Sequence, residues 1–356
     1  MCANIRIILD FRGCVRPAPP ENRAILIFSF RRAGAAPLFR PVPAIRTRFA
    51  IALGFRYLCS RKHRFRMNTV SKYLSLVKFA HTIFAMPFAA VGFVYAYATL
   101  PAGAHDAAWW LTRAVQVLLC MVFARNTAMG FNRWADRRID AENPRTAGRE
   151  IPAGVIPPRH ALRFVAVNAL LFIAAASTIN LLTALLSPVA LFIILFYSYC
   201  KRFTALAHLV LGLSLGIAPV GAYIAVTGRI ALEPCILSLL VMTWCGGFDI
   251  IYALQDAAFD RERGLHSIPA RFSARTALAL SCGLHAVSVA ALLWFASCCP
   301  GSAWFWIGAG IFTGLLVLEH LLVTPSRQRN IGIAFGTLNG LASLTLAAGI
   351  IADLLK

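Results

Sequence analysis

Seven oxygen-bearing side chains stand in two short polar stretches of an otherwise apolar chain. In the first, NRWADRRID, Asn132, Asp136 and Asp140 recur every four residues. In the second, DIIYALQDAAFD, Asp249, Tyr252, Asp256 and Asp260 follow at steps of three, four and four. At helical pitch each set falls on one side of a helix, the first along about 12 Å. Acidic residues are scarce, 14 of 356, and five of them stand here rather than spread over a solvated surface. Mg²⁺ takes oxygen ligands and commonly uses one or two carboxylates together with substrate phosphates. Carboxylates spaced to share a small cation, beside a surplus of arginines, therefore suit a metal-bridged diphosphate. Asp136 and Asp140 would bind from one wall and Asp256 and Asp260 from the other, with Asn132, Asp249 and Tyr252 along the same faces. The competing explanation is a set of ion pairs with the interleaved Arg133, Arg137, Arg138, Arg261 and Arg263. Pairing alone explains poorly why both ladders occur at equivalent places in the chain.

Basic and aromatic residues near these stretches extend the candidate site. The loop ENPRTAGREIPAG holds Arg145 and Arg149 four apart around a turn-prone Thr-Ala-Gly, bounded by Pro144 and Pro152. Guanidinium forks match phosphate oxygens, so Arg145 is a candidate phosphate clamp, a solvated loop being the plainer alternative. Lys201 is placed to neutralise a departing diphosphate and Tyr199 to line an organic pocket, although tyrosine at a membrane boundary is also an ordinary anchor. His81 is a candidate contact for an aromatic substrate, or a hydrogen-bonded helix histidine. His208 is read as structural, and Glu319 with His320 as interfacial packing.

These residues must be positioned by elements that water does not surround. The chain is 59% hydrophobic and 14% charged, against about 25% charge in a typical soluble domain. Its apolar runs approach the roughly 20 residues needed to cross hydrocarbon, which makes it an all-α, polytopic membrane protein. Nine spans are expected: about 73–100, 109–129, 162–182, 187–200, 206–226, 232–254, 276–297, 304–323 and 331–354. Pro87 predicts a kink in the first, and the short fourth is broken off from the third near Asn180 and Pro188. Arginines and lysines collect in alternate loops: Arg133 to Arg159, then Lys201 and Arg202, then Arg261 to Arg275, then Arg327 and Arg329. With Arg229 as the exception, this alternation puts both acidic stretches on the cytoplasmic side and the final end outside.

The formal charge of +21 is not a nucleic-acid signature once it is located. Residues 1 to 66 hold thirteen Arg and one Lys against Asp10 and Glu21, and the remaining 290 residues carry +9, mostly in short loops. No nucleic-acid partner is expected. The 1–66 stretch is either a mobile basic extension or upstream sequence that the mature protein lacks because translation begins at Met67; the second is preferred. Residues 67–356 then form the membrane domain. The ten cysteines show no metal-ligand spacing and are read as small buried hydrophobes.

Taken together, KFAHTIFAMPFA, NRWADRRIDAENPRTAGREIPAG, YSYCKRFTALAHLVLG and FDIIYALQDAAFDRERGLHSIPARF resemble the UbiA superfamily of intramembrane aromatic prenyltransferases, especially its 4-hydroxybenzoate polyprenyltransferase-like branch. The resemblance spans residues 73–354. It implies nine membrane helices around a central cavity, open to the cytoplasm and sideways to lipid, in the inner membrane of a bacterium. It also implies a Mg²⁺ cofactor acting through both acidic motifs on an allylic polyprenyl diphosphate, and transfer of the prenyl group to a small aromatic acid in quinone synthesis. Arg133 stands where some members carry a further Asp, which leaves the number of metal ions open. LHSIP and REIPAG resemble members associated with the futalosine route to menaquinone. Related readings are an acceptor such as dihydroxynaphthoate, haem or a chlorophyll precursor, and, from a different class, a transporter of an anionic metabolite.

Overall fold

A computed structural model describes residues 69–77 and 84–356. The basic stretch 1–66, Met67 and His81 lie outside the described residues. In hydrocarbon each backbone amide needs an internal partner, and the chain meets this with helices: α1 Thr69–Val77, α2 Met86–Thr99, α3 Ala107–Ala135, α4 Arg137–Glu142, α5 Pro158–Ser177, α6 Leu181–Cys200 and α7 Ala207–Thr227. There follow α8 Leu232–Ala253, α9 Ala257–Glu262, α10 Ile268–Arg271, α11 Ala274–Cys298, α12 Ala303–Leu322 and α13 Asn339–Leu354. Among the described residues eight helices are long and apolar enough to cross a membrane. The 14-residue α2 adds a ninth apolar helix of about 21 Å. The chain is thus a multi-span, all-helical membrane protein.

Of the first predicted span, residues 78–83 lie outside the described residues, and α2 begins after a turn at Ala85. Pro87 occupies the first turn of α2, where its missing N–H has no intrahelical acceptor to lose, so it starts a helix rather than kinking one. The fourth span is longer than its sequence suggests. Asn180 caps α6 by accepting the Thr183 N–H at 2.8 Å, and Pro188 lies inside the helix. A proline there leaves the carbonyl four residues back without its donor. The Ser187 hydroxyl donates to that carbonyl, Ala184 O, at 2.8 Å, which explains why the helix continues.

Packing is uneven across the bundle. α8 buries thirteen of its 22 residues, and Trp244, Phe88, Phe295, Phe305 and Phe312 are all fully enclosed in one core between α2, α8, α11, α12 and α13. By contrast, only Thr127, Gly130 and Arg133 are buried along the 29 residues of α3. One close crossing joins the two sides: a Cβ at Gly92 of α2 would lie 2.1 Å from the Pro219 carbonyl oxygen of α7. Only glycine lets these backbones approach so closely.

Candidate active site

Twenty-nine residues of α3 extend about 43 Å, longer than the ~30 Å hydrocarbon core, so its last turns carry the first motif out to one end of the bundle. At Asp136 the backbone leaves ideal helix, with φ −88° and ψ 4°. The spacing nevertheless survives, because Asp136 N–H donates to Asn132 O at 2.9 Å and Asp140 N–H to Asp136 O at 2.8 Å. The Asp136 carboxylate is 2% exposed and accepts from three groups: Lys201 Nζ at 3.1 Å, Arg202 Nη2 at 2.9 Å and Asn132 Nδ2 at 3.3 Å. Arg202 also donates to Ala135 O at 2.9 Å, closing the end of α3. Asp140 turns toward its own loop, where Arg149 Nη1 donates to it at 2.7 Å. Its other oxygen, Oδ2, is buried without a hydrogen-bond partner.

The second motif lies where α8 tightens into a 3₁₀ turn, Leu254–Asp256, before α9. Asp256 accepts from Arg145 Nε at 2.8 Å, from Arg145 Nη2, and from Asn143 Nδ2 at 2.9 Å. Asn143 in turn accepts the Arg145 N–H at 2.9 Å, which fixes the loop that carries the guanidinium. Burial disfavours the Arg145 charge, but its hydrogen bonds to Asp256 more than offset that and hold its pKa above the ordinary value. Tyr252 Oη accepts from Arg145 Nη1 at 3.1 Å, and the tyrosine ring rests on Phe335 with centroids 4.2 Å apart. The loop of the first motif thus closes directly on the second motif.

Two further contacts anchor the remaining acids. Asp260 is buried and accepts from Ser267 Oγ at 2.8 Å. Asp249 is 2.7 Å from His208 Nδ1, while His208 Nε2 accepts the Ile268 N–H at 3.3 Å. The latter contact leaves Nδ1 as the nitrogen that donates, so His208 orients Asp249. Finally, Lys201 O accepts the His266 N–H at 2.6 Å, tying the loop after α6 to the loop after α9.

A cavity of about 340 Å³ runs between α3, α5, α6 and α7. Near its site end it is lined by Arg125, Met129 and Tyr197. Tyr199, predicted to line an organic pocket, does not line this cavity: it is 36% exposed, with Arg202 stacked over its ring at 4.7 Å and Phe131 edge-on at 5.7 Å. Tyr197, two residues earlier, lines it instead. Arg125 is the main residue that motif reading passes over. Its Nε is buried without a hydrogen-bond partner, seven residues before Asn132 on α3, about 10 Å along the helix. A charge inside the apolar run 109–129 was the available signal, since ionisable residues in a span usually mark function. Asn143, Arg149, Arg202, His208 and Ser267 carry no such mark; only the fold identifies their partners.

The residues present fit a Mg²⁺ ion shared with substrate. Among the described residues no three acid, histidine or cysteine groups converge to hold a metal by themselves. Mg²⁺ needs no such cage when water and phosphate supply its remaining ligands. The donors here are all oxygen, they come from two facing motifs, and Asp140 Oδ2 is left without a partner.

The class defined here is an all-helical membrane bundle whose two acidic motifs meet among arginines at one end, beside an apolar cavity. The chain belongs to the UbiA prenyltransferase family, which it matches over residues 76–344. It is 29% identical over 236 residues to the 4-hydroxybenzoate octaprenyltransferase of Polynucleobacter asymbioticus, covering 64% of this chain and 82% of that protein. It is 30% identical over 208 residues to the enzyme of the same name from Thiobacillus denitrificans, covering 58% and 70%. A UbiA homolog from Aeropyrum pernix K1, in an apo structure, superposes with a TM-score of 0.66 at 32% identity, over 77% of this chain and 98% of that one. A UbiA homolog from Archaeoglobus fulgidus, bound to GPP and Mg²⁺, shares the fold with a TM-score of 0.56 at 21% identity, over 77% and 99%.

Proposed function

We propose that this prenyltransferase moves a polyprenyl group from its diphosphate to a ring carbon of a phenolic acid of the 4-hydroxybenzoate type, in quinone synthesis. The observation that carries the reading is the meeting of both acidic motifs at the site end of an apolar cavity lined by one arginine, Arg125, whose Nε is buried. Asp136, Asp140, Asp256 and Asp260, assisted by Asn132, would hold Mg²⁺, which neutralises phosphate oxygens and makes the diphosphate a better leaving group.

The chain's own residues account for the rest. Arg145 and Lys201 are paired with Asp256 and Asp136. An arriving diphosphate supplies a competing anion, and both cations then stand beside the charge that builds as the allylic C–O bond breaks. Charge stabilised more in the transition state than in the ground state lowers the barrier. Tyr252 and Asn143 position Arg145, and His208 positions Asp249. Arg125 offers a guanidinium within an apolar wall, where a carboxylate is its natural partner. It would anchor the acid group of the acceptor and turn the electron-rich ring toward the donor. The carbon–carbon bond forms, the ring loses its proton, and the cavity walls keep water from the allylic cation. The arginine-rich loops at the site end support a site on the cytoplasmic side of the inner membrane, under the positive-inside rule.

The test is an assay in lipid nanodiscs with octaprenyl diphosphate and a panel of 4-hydroxybenzoate, dihydroxynaphthoate and a phenol without a carboxylate. We expect prenylated 4-hydroxybenzoate, abolition by EDTA and restoration by Mg²⁺. Turnover in EDTA, or equal use of the phenol without a carboxylate, would refute the metal and acceptor readings respectively.

A further inference from the structure

We infer that a groove between α1 and α5 binds the head group of an anionic phospholipid, and that this lipid braces the loop carrying Arg145 and Arg149. The groove measures about 280 Å³ and is lined by Tyr73 of α1 and by His160, Arg163, Phe164 and Val167 of α5. Tyr73 and Phe164 stack with ring centroids 4.8 Å apart. Charge says what the groove attracts. Neither α1 nor α5 contains Asp or Glu, while His160 and Arg163 are exposed, as is Arg159 one turn before Arg163. Among the described residues neither of these arginines makes an ion pair. Guanidinium forks with no acid to occupy them suit phosphate oxygens.

Placement decides which phosphate. The 20 residues of α5 extend about 30 Å, the thickness of the hydrocarbon core, and its basic residues all stand in the first two turns, at the site end. Beyond Arg163 the helix carries no charge. Four and seven residues after Arg163 come Val167 and Leu170, and seven after Phe164 comes Leu171, which are 54%, 68% and 42% exposed. One face thus passes from basic to apolar, so a phosphate held at Arg163 has its acyl chains on these side chains. Basic pockets between membrane helices select anionic head groups, whereas a zwitterionic lipid would bring an ammonium to the same arginines. The groove is also coupled to the site. Ser75 Oγ of α1 donates to Glu150 Oε1, and Leu76 packs with Ile151, Ile156 and Ala161. Arg149, next to Glu150, donates to Asp140 at 2.7 Å. A lipid held between α1 and α5 would therefore steady the loop that those two helices enclose.

Native mass spectrometry of the full chain in neutral detergent, titrated with phosphatidylglycerol or phosphatidylethanolamine, tests the site. Arg163→Gln should weaken phosphatidylglycerol binding at least about fivefold and leave phosphatidylethanolamine unchanged, as expected for one basic residue at a membrane surface. Arg275→Gln, which removes an equally exposed arginine at the start of α11, should change neither. Unchanged phosphatidylglycerol affinity in folded Arg163→Gln, or an equal loss in Arg275→Gln, overturns the inference, the second by showing diffuse surface charge. Glycerol phosphate, which lacks acyl chains, should not displace the lipid; displacement at equal concentration would make this a free-phosphate site and overturn it too. Independently of any variant, phosphatidylglycerol with a diazirine on its acyl chain should label the stretch from Val167 to Leu171 in nanodiscs more strongly than the matched phosphatidylethanolamine probe. Equal labelling would be annular lipid alone and counts against the site. Bracing is read by hydrogen exchange: phosphatidylglycerol should slow the amides of residues 145–151 in the wild type and not in Arg163→Gln. Unaltered exchange with lipid bound would overturn the coupling to the loop.

Discussion

Each acid in the site has a partner chosen by tertiary structure, and the partners differ in consequence. Asp136 and Asp256 receive cations from the loops after α6 and α4, whereas Asp140 and Asp260 bond within their own loops. Substituting Asp136 or Asp256 removes both a metal-ligand candidate and the counter-ion of a cation. Asp136→Asn and Asp256→Asn should each lower turnover at least about 10²-fold, roughly 2.7 kcal/mol of transition-state stabilisation. Turnover like that of the wild type in both would remove the metal–carboxylate assignment. Arg125 predicts a different kinetic signature. On the proposed role at the acceptor alone, Arg125→Gln should raise KM for 4-hydroxybenzoate at least about tenfold, near 1.4 kcal/mol, and leave KM for the prenyl donor within about twofold. Steady-state kinetics with each substrate varied in turn separates the two cases.

At the scale of elements, irregular backbone is held by particular side chains. Ser187 satisfies the carbonyl freed by Pro188, so Ser187→Ala should destabilise α6 by about 1 kcal/mol, read as a lowered Tm in detergent. A π-helical turn, Ala334–Leu338, precedes α13 and presents Phe335 to Tyr252. Asn339 follows it directly and is 1% exposed. It donates to Glu319 Oε1 at 3.0 Å and to Ala334 O at 2.9 Å, and accepts from Trp244 Nε1 at 2.8 Å. Asn339→Leu would strand the Trp244 N–H and Glu319 Oε1 in the core, a loss of about 2–4 kcal/mol. Glu319→Gln keeps the acceptor for Asn339 and should stay within about 1 kcal/mol of the wild type. Comparable melting curves for these two variants would show that the network does not hold the turn.

For the whole molecule, the asymmetry between a solid side and a hollow side matters more than the number of helices. A bundle packed throughout like α8 would have no room for a lipid substrate; one as sparsely buried as α3 would lack a scaffold to hold the acids in place. Loop charge predicts the orientation. Alkaline phosphatase fused after Lys356 should be active in a bacterial inner membrane, and green fluorescent protein fused at the same point should be dark. The reverse pattern would turn the site to the outer side.

Much of this was legible locally. Residue type and spacing announce the two acidic motifs, hydropathy announces the spans, and both are properties of neighbours in the chain. The start of α2 and the full length of α6 were not legible, because Pro87 and Pro188 have the same sequence signature and opposite contexts. One stands where no donor is required and the other is compensated by a hydroxyl. Nor could spacing show that Arg145 would reach Asp256 or that Lys201 and Arg202 would enclose Asp136, since these contacts join segments brought together only by packing. The amino-acid order determined the spacing of two acidic motifs and the apolar runs that lipid surrounds. Only the tertiary structure decided which cation faces which acid and where an apolar space remains, because both depend on how helices distant in sequence fill volume against one another.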